Sequence, residues 1–460
     1  MKNKFLKLSL IFALAVAFTS CNLFPDPEEP QYEEELNALI PSAQYLVAYF
    51  SGTDHSRFQL QWSQQLAGVR GVHLSVDRYN MTGDHSNEVW SLFYQNIIPT
   101  IGVVLNHANQ LEAPAYKGMA RILRAYNIGL MTDAWGDIPN MSALFYSQGA
   151  YPAYDNQAEI YLHIIDELNG AITDLNNAAT AAGPVPSQHV DLIYGGDLEK
   201  WKKAANVIKL RYILRIAHHA GEYDLALPFL NPASLFSSNQ DDMKYQFHGN
   251  QINPFFYYEN VVRNTRMGNY YVEKLKETND PRLPVFIRIN TANNEYVGSA
   301  PGEANFNASF IGSQIAGEQA PVSFITYVEQ KFIEAELYFR IGQQAMADQA
   351  FEQAVKASLQ RYGVSNPAWE AQYAELENVT LEQIISAKYL ALFLNPEVWS
   401  DFRRTGYPAL TPYPDAPIEE TEEPQIPRHF LYPSSEVVQN PSNVPAGVTI
   451  YTRMWWDVER

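Results

Sequence analysis

From Glu33 onward, apolar residues recur three and four positions apart through long segments, and that spacing restricts the chain to packed helices. A helix turns once in about 3.6 residues, so such spacing gathers the apolar side chains on one stripe that must be buried against another element. Strand-like alternation is sparse, and the expected fold class is therefore all-α, or mostly α. The spacing predicts helices at roughly Tyr32 to Ser51, Asn87 to Asn109, Pro114 to Thr132, Asn156 to Ala178, Leu198 to His219, Ser323 to Ile341, Met346 to Arg361 and Leu381 to Leu394. Clusters of Pro, Gly, Asn and Asp separate them. Asp155 is expected to cap one helix, and Thr380 with Gln383 has the spacing of a capping box on another.

Ala335, Tyr338, Ala347, Phe351 and Ala354, with Gly342 at the turn between them, match the small and aromatic spacing of a tetratricopeptide unit. Small residues let two helices approach, and aromatics fill the groove. Tetratricopeptide-like helical repeats are thus expected to form the scaffold. Between about 220 and 322 the chain turns loop-rich and aromatic-rich, and a second irregular, Pro-rich region follows Thr405, with an acidic stretch from Asp415 to Glu423. Long irregular segments inside a compact protein are usually functional or linkers.

Only 18% of residues are charged, below the usual roughly 25%, and 32 Lys+Arg against 51 Asp+Glu leave −19. Phosphate backbones and anionic head groups repel such a chain, so nucleic acid is excluded as a partner class. Cys21 is the sole cysteine, which rules out an intramolecular disulfide and any cysteine-based metal site.

Lys2, Lys4 and Lys7 precede an apolar run from Leu8 to Phe18, and the small residues Thr19 and Ser20 follow. That is the layout of a secretory signal peptide, and its apolar run of about 11 residues falls short of the roughly 20 that span a bilayer. A small pair directly before cysteine resembles a bacterial lipobox, with Cys21 as the lipid-modified first residue; Phe18 departs from the usual aliphatic residue. The expected organisation is a leader at 1–20, an acidic flexible tether at 21–31 and a single domain at 32–460.

Asp133 and Asp137 have one-face helical spacing, but Gly136 and Pro139 break it, so turn and cap roles are expected. His218 and His219 are adjacent and cannot bind one metal as an i, i+4 pair could. Arg403 and Arg404 are expected to meet acidic or carbonyl groups at a helix end. Asp84, Asn87 and Glu88 lack the spacing of a calcium loop and read as a turn and cap. There is no nucleophile elbow, zincin motif or phosphate-cradling loop, and no catalytic residue, metal or cofactor is expected.

Several segments resemble the SusD/RagB-like nutrient-binding outer-membrane lipoproteins. In AKYLALFLNPEVWSDFRRTGYPAL the residues Ala387, Asn395, Trp399, Arg403, Arg404, Thr405, Gly406 and Pro408 sit as in that family. The C-terminal part adds Arg428, Tyr432, Pro433, Glu436, Asn440, Asn443, Trp455 and Trp456. Asp133, Gly136, Asp137 and Pro139 match an earlier segment, as do Trp201, Asn206 and Arg211; Asn140 stands where the family often has tyrosine. The resemblance implies a mostly helical fold, lipid anchoring in the outer membrane facing the exterior, and pairing with a SusC-type TonB-dependent transporter. It implies binding of a nutrient, an oligosaccharide or alternatively a peptide or other nutrient, without catalysis. A secreted all-α glycoside hydrolase or lyase, or a periplasmic scaffold, are the competing classes.

Aromatics reach 13% of the chain, with 29 Tyr and 8 Trp. Their faces stack on the apolar C–H faces of sugars while Asn, Gln, Asp and Arg bond the hydroxyls. The expected ligand-binding residues are Tyr257, Tyr258, Arg263, Tyr270 and Tyr271, in the irregular part from Asn253 to Tyr271, with Trp135 in the Trp135 to Asn140 loop. Core packing competes for each, since consecutive aromatics cannot all face one way.

Overall fold

The apolar stripes become α1 (Tyr32–Phe50), α2 (Asp54–Trp62), α3 (Ile98–Gln110), α4 (Pro114–Trp135), α5 (Gln157–Ala178) and α6 (Leu198–Ala220). Beyond the irregular part follow α7 (Tyr327–Arg340), α8 (Gln344–Arg361), α9 (Leu381–Ala391) and α10 (Glu397–Thr405). The computed structural model describes residues 32–141, 151–290, 294–418 and 423–459. The leader, Cys21 and the tether lie outside the described residues. Among the described residues no helix is long and apolar enough to cross a membrane.

The helices pack in series: α1 on α3, α3 on α4, α4 on α5, α5 on α6, α6 on α7 across the irregular part, and α7 on both α8 and α9. This is a mostly helical, tetratricopeptide-like array. At its repeat unit Gly342 takes φ 75° and reverses the chain between α7 and α8. Ala335, Ala347 and Ala354 are buried at the contact, and Phe332 meets Phe351 edge-on at 6.1 Å. Close approach also explains Gly118 in α4, where an added Cβ would come within 2.6 Å of Leu175 in α5.

Three boundaries differ from the sequence expectation. The helix expected from Asn87 to Asn109 is interrupted by a wide turn at Phe93–Ile97, because Pro99 cannot donate to a continuous helical ladder. Val322–Ile325 is a strand paired with Met243–Tyr245, and α7 begins only after Thr326, whose hydroxyl accepts from the Glu329 amide at 3.1 Å. Asn156, rather than Asp155, caps α5; the Asp155 carboxylate instead accepts the amides of Asn140 and Met141, both at 2.8 Å. The capping box of Thr380 and Gln383 is present.

Two-stranded antiparallel ribbons tie the irregular part to the helices and to itself. Leu66–Gly68 pairs with Thr265–Met267, and Ile287–Arg288 pairs with Phe310–Ile311. Ribbons this short are marginal alone and depend on the helices beneath them.

One contiguous apolar core runs from Leu36 to Trp456, and an ion network is buried within it. Arg215 donates to Asp133 at 2.9 Å and to Glu397 at 2.6 Å, and Arg211 grips both oxygens of Glu329 at 2.6 and 2.8 Å. Arg404 bridges Glu336 and Asp401, and Lys388 reaches Asp401 at 2.7 Å. Burial alone would push the Glu397 and Glu336 carboxyls up, but the guanidiniums beside them hold both at about 2. The expected turn role of Asp133 is corrected: α4 continues to Trp135 and turns the carboxylate inward, where Tyr161 donates to it at 2.6 Å. Asp137 does act at a helix end, accepting the Gln157 amide of α5 at 2.8 Å. Arg403 lies over Trp399 at 3.4 Å and donates to the Arg428 carbonyl, so both arginines are held internally.

Candidate functional site: an aromatic cleft at the α1–α2 corner

The residues singled out in the sequence separate into core and surface. Trp135 is fully buried; its indole N–H donates to the Leu431 carbonyl at 3.0 Å, and its ring meets Phe430 and Trp90 edge-on. Tyr271 is also fully buried, stacked on Phe393 at 4.8 Å with its hydroxyl donating to the Leu390 carbonyl. Neither offers a face to a ligand, because the largest rings gain most from complete burial. Tyr270 is half-buried against Tyr389. Asn140 is 3% exposed, so the departure at that position does not present a surface group.

Tyr257, Tyr258 and Arg263 are the surface members. Asn253 caps the short helix Pro254–Tyr257 by accepting from the Phe255 amide, and a wide turn at Tyr258–Val262 follows. Phe255 and Glu259 of these two turns are buried, while Tyr257 is 44% exposed. Arg263 ends the turn at φ 58° and is exposed. Tyr258 meets Tyr257 at 5.4 Å with the rings at 74°.

Behind Tyr258 stands the corner between α1 and α2. The Arg57 guanidinium lies 3.7 Å from the Tyr258 ring centroid, donates to Asp54 at 2.7 Å and is held by Asn264. Gln61 donates to His73 Nδ1 at 2.6 Å, which leaves the His73 Nε2–H facing Asp54 at 3.3 Å. Burial alone would raise the Asp54 carboxyl, yet His73 and Arg57 bring it down to about 2. Burial lowers His73 to about 4, so at neutral pH Arg57 supplies the positive charge and His73 only a hydrogen bond. Tyr49, Thr53, Asp54, Glu88, Ser91, Asn96 and Tyr258 enclose a cleft of about 280 Å³.

This cleft combines ring faces with carboxylates, an amide and hydroxyls, and its polar floor is fixed by Arg57. It has no opposed pair of free carboxylates: Asp54 is engaged by Arg57, and Asp133 lies in the core network. A larger cavity of about 420 Å³ sits between the irregular part and α8, but its central charges, Arg361 and Asp242, pair with each other.

Tyr49, Asp54, Arg57 and Asn96 were not legible as site residues. They lie about 160 to 210 residues upstream of Tyr258, and no local signal marks them. His218 is bonded to Tyr223 and His219 is stacked on Trp455 at 4.0 Å. Asp84 and Asn87 bond to Ser434, fastening the turn to the C-terminal segment. That segment also anchors the end of α4, where Tyr432 donates to the carbonyls of Trp135 and Asp137 at 2.7 and 2.8 Å.

The fold has many solved counterparts. A chitin-binding SusD homolog from Flavobacterium johnsoniae aligns at 23% identity and TM-score 0.77, covering 93% of this chain and 99% of that one. A SusD homolog from Bacteroides uniformis aligns at 23% identity and TM-score 0.76, covering 92% and 99%. Another, from Bacteroides thetaiotaomicron, aligns at 22% identity and TM-score 0.78 over the same shares. A search of curated proteins finds no match. At these identities the structures show the fold alone, but a family profile described as "Starch-binding associating with outer membrane" matches residues 27–433. The chain therefore belongs to the SusD-like family.

Proposed function

We infer that this protein captures an oligosaccharide at the α1–α2 corner and delivers it to a SusC-type TonB-dependent transporter, without chemical turnover. The observation that carries the reading is the exposed Tyr257 with the half-buried Tyr258 beside a cleft of about 280 Å³ whose polar groups are set by Arg57. Ring faces accept the C–H faces of sugars, and the Asn96 amide and the Asp54 and Glu88 carboxylates accept or donate to hydroxyls around them. The family profile's outer-membrane description and a chitin-binding relative support the substrate class and location. In this reading 1–20 is the leader, Cys21 carries the lipid, 21–31 is the tether and 32–460 is the binding domain.

Calorimetry of the full chain against a panel of oligosaccharides and peptides tests the ligand class. Saturable binding of an oligosaccharide with no product after prolonged incubation is expected. Peptide binding alone, or release of shortened glycans, overturns the reading. Cys21→Ala is expected to shift the chain from the membrane to the soluble fraction, since stable attachment needs more than one acyl chain and the described helices include no span. Co-purification with a TonB-dependent barrel tests delivery, and failure to co-purify under conditions that keep both folded removes that part.

A further inference from the structure

The chain carries −19, yet four arginines come together on the loop face next to the cleft. Arg266 and Arg288 lie over one ring, Phe310, at 3.9 and 4.6 Å from its centroid. Their strands fix this: Arg288 is paired with Phe310 across one ribbon, and Arg266 is paired with Ala67 across another. Arg70 follows the Leu66–Gly68 strand, and Arg263 precedes the Thr265–Met267 strand, so the same ribbon brings both to Arg266. Arg266 is 5% exposed; burial and its three arginine neighbours lower its pKa, opposed by Glu259. None of the four has an ion-pair partner among the described residues within 4 Å.

Their hydrogen bonds leave much of each fork unused. Arg266 donates to the Thr265 carbonyl at 2.7 Å and weakly to the Phe306 carbonyl at 3.4 Å. Arg263 donates to the Asn260 carbonyl, and Arg288 reaches the Asn260 amide oxygen at 3.4 Å. The facing carboxylate is Glu259, 1% exposed, with one oxygen taken by the Ile311 amide at 2.8 Å and the other without a partner. Burial raises Glu259 to about 7, so at neutral pH it only partly offsets the positive charge. Like charges held together in a partly buried setting are unfavourable unless an anion joins them.

We propose that Arg70, Arg263, Arg266 and Arg288 bind the carboxylate or sulfate groups of an acidic oligosaccharide. This rests on the oligosaccharide reading above and names its substrate class. Guanidinium forks match carboxylate and sulfate oxygens two at a time, and stacking on Phe310 orients two of the forks in advance. Phe306, at 54% exposure, and Tyr257, at 44%, supply ring faces on the same loop surface, which favours a sugar over an acidic peptide. The cluster is also a local attractor for anions on a molecule that otherwise repels them.

The test is calorimetry of the full chain in detergent with matched probes: oligogalacturonates against their methyl esters, and chondroitin sulfate oligosaccharides against the desulfated forms. Binding of one charged member, at least tenfold tighter than its neutral match and weakened by raising NaCl from 50 to 500 mM, is expected on the order of charge-assisted contacts. The galacturonate and chondroitin arms tell carboxylate from sulfate. Arg70→Gln with Arg288→Gln, both at exposed positions, is expected to remove that preference while leaving the unfolding temperature unchanged. If neutral members bind as tightly as charged ones, or the double variant keeps the preference, this proposal falls and the oligosaccharide reading stands. If nothing in this panel binds, the proposal falls and the oligosaccharide reading stands on its own wider panel; if acidic peptides added to the panel bind in an arginine-dependent way and no oligosaccharide of either panel does, both fall.

Discussion

Two groups of arginines in this molecule are held in opposite ways. In the helical core, Arg211, Arg215 and Arg404 each meet carboxylates at hydrogen-bond distance, and these ties join α4, α6, α7 and α10. On the loop face, buried Arg266 sits among the exposed Arg70, Arg263 and Arg288, and the carboxylate facing it, Glu259, is kept partly neutral by burial. Desolvating a charge costs several kcal/mol unless it is paired. The core satisfies that requirement internally and serves the scaffold. The loop face leaves it open, which is the condition for recognising something from outside.

The sharpest way to break the comparison is to unpair the core. Glu397→Ala leaves Arg215 and Arg211 short of a partner, and a loss of about 3–5 kcal/mol is expected in urea unfolding. A loss below about 1 kcal/mol would show that the network does not hold the helices together.

Next in size is the pH dependence of Glu259. Its folded-state value of about 7 lies above the ordinary glutamate value, so its contribution to stability is complete below about 4.5 and is lost as pH rises through about 7. The groups facing it are Arg266, Arg288 and Arg57, with the Ile311 amide on one oxygen. Glu259→Gln is therefore expected to gain on the order of 2–3 kcal/mol relative to wild type between pH 5 and pH 8. Parallel unfolding curves at the two pH values contradict this.

A smaller effect separates rings that look alike in the sequence. Tyr257→Ala is expected to weaken oligosaccharide binding by about 0.5–1.5 kcal/mol with little change in unfolding, whereas Tyr271→Ala lowers stability first. Calorimetry and thermal unfolding of both variants decide it, and equal stability losses would erase the distinction. Smallest of all, Arg288→Gln is expected to change stability by no more than about 0.5 kcal/mol, because its side chain is exposed and carries no ion pair. A larger loss would place Arg288 in the scaffold with Arg215.

The scaffold was readable because helix spacing is local. Gly342, Ala335, Ala347 and Phe351 announce the α7–α8 hairpin within one stretch of chain, and Thr380 with Gln383 announces the start of α9. Boundaries slipped where a nonlocal partner intervened, as at Val322–Ile325, which pairs with a strand some 80 residues earlier. The site was half readable. Composition marks the run of aromatics after Asn253, but nothing local distinguishes Tyr257, at the surface, from Tyr271, beneath α9.

The amino-acid sequence alone determined the helical class, the repeat unit and the family resemblance, all of which rest on spacing and motifs along the chain. Only the tertiary structure decided which charges are paired. Asp133 and Arg215 lie 82 positions apart and meet; Arg70 and Arg266 are further apart and share a surface without a carboxylate for each. The reason is physical: pairing depends on distances of a few ångströms between side chains, and those are set by helix packing and ribbon register rather than by order along the chain.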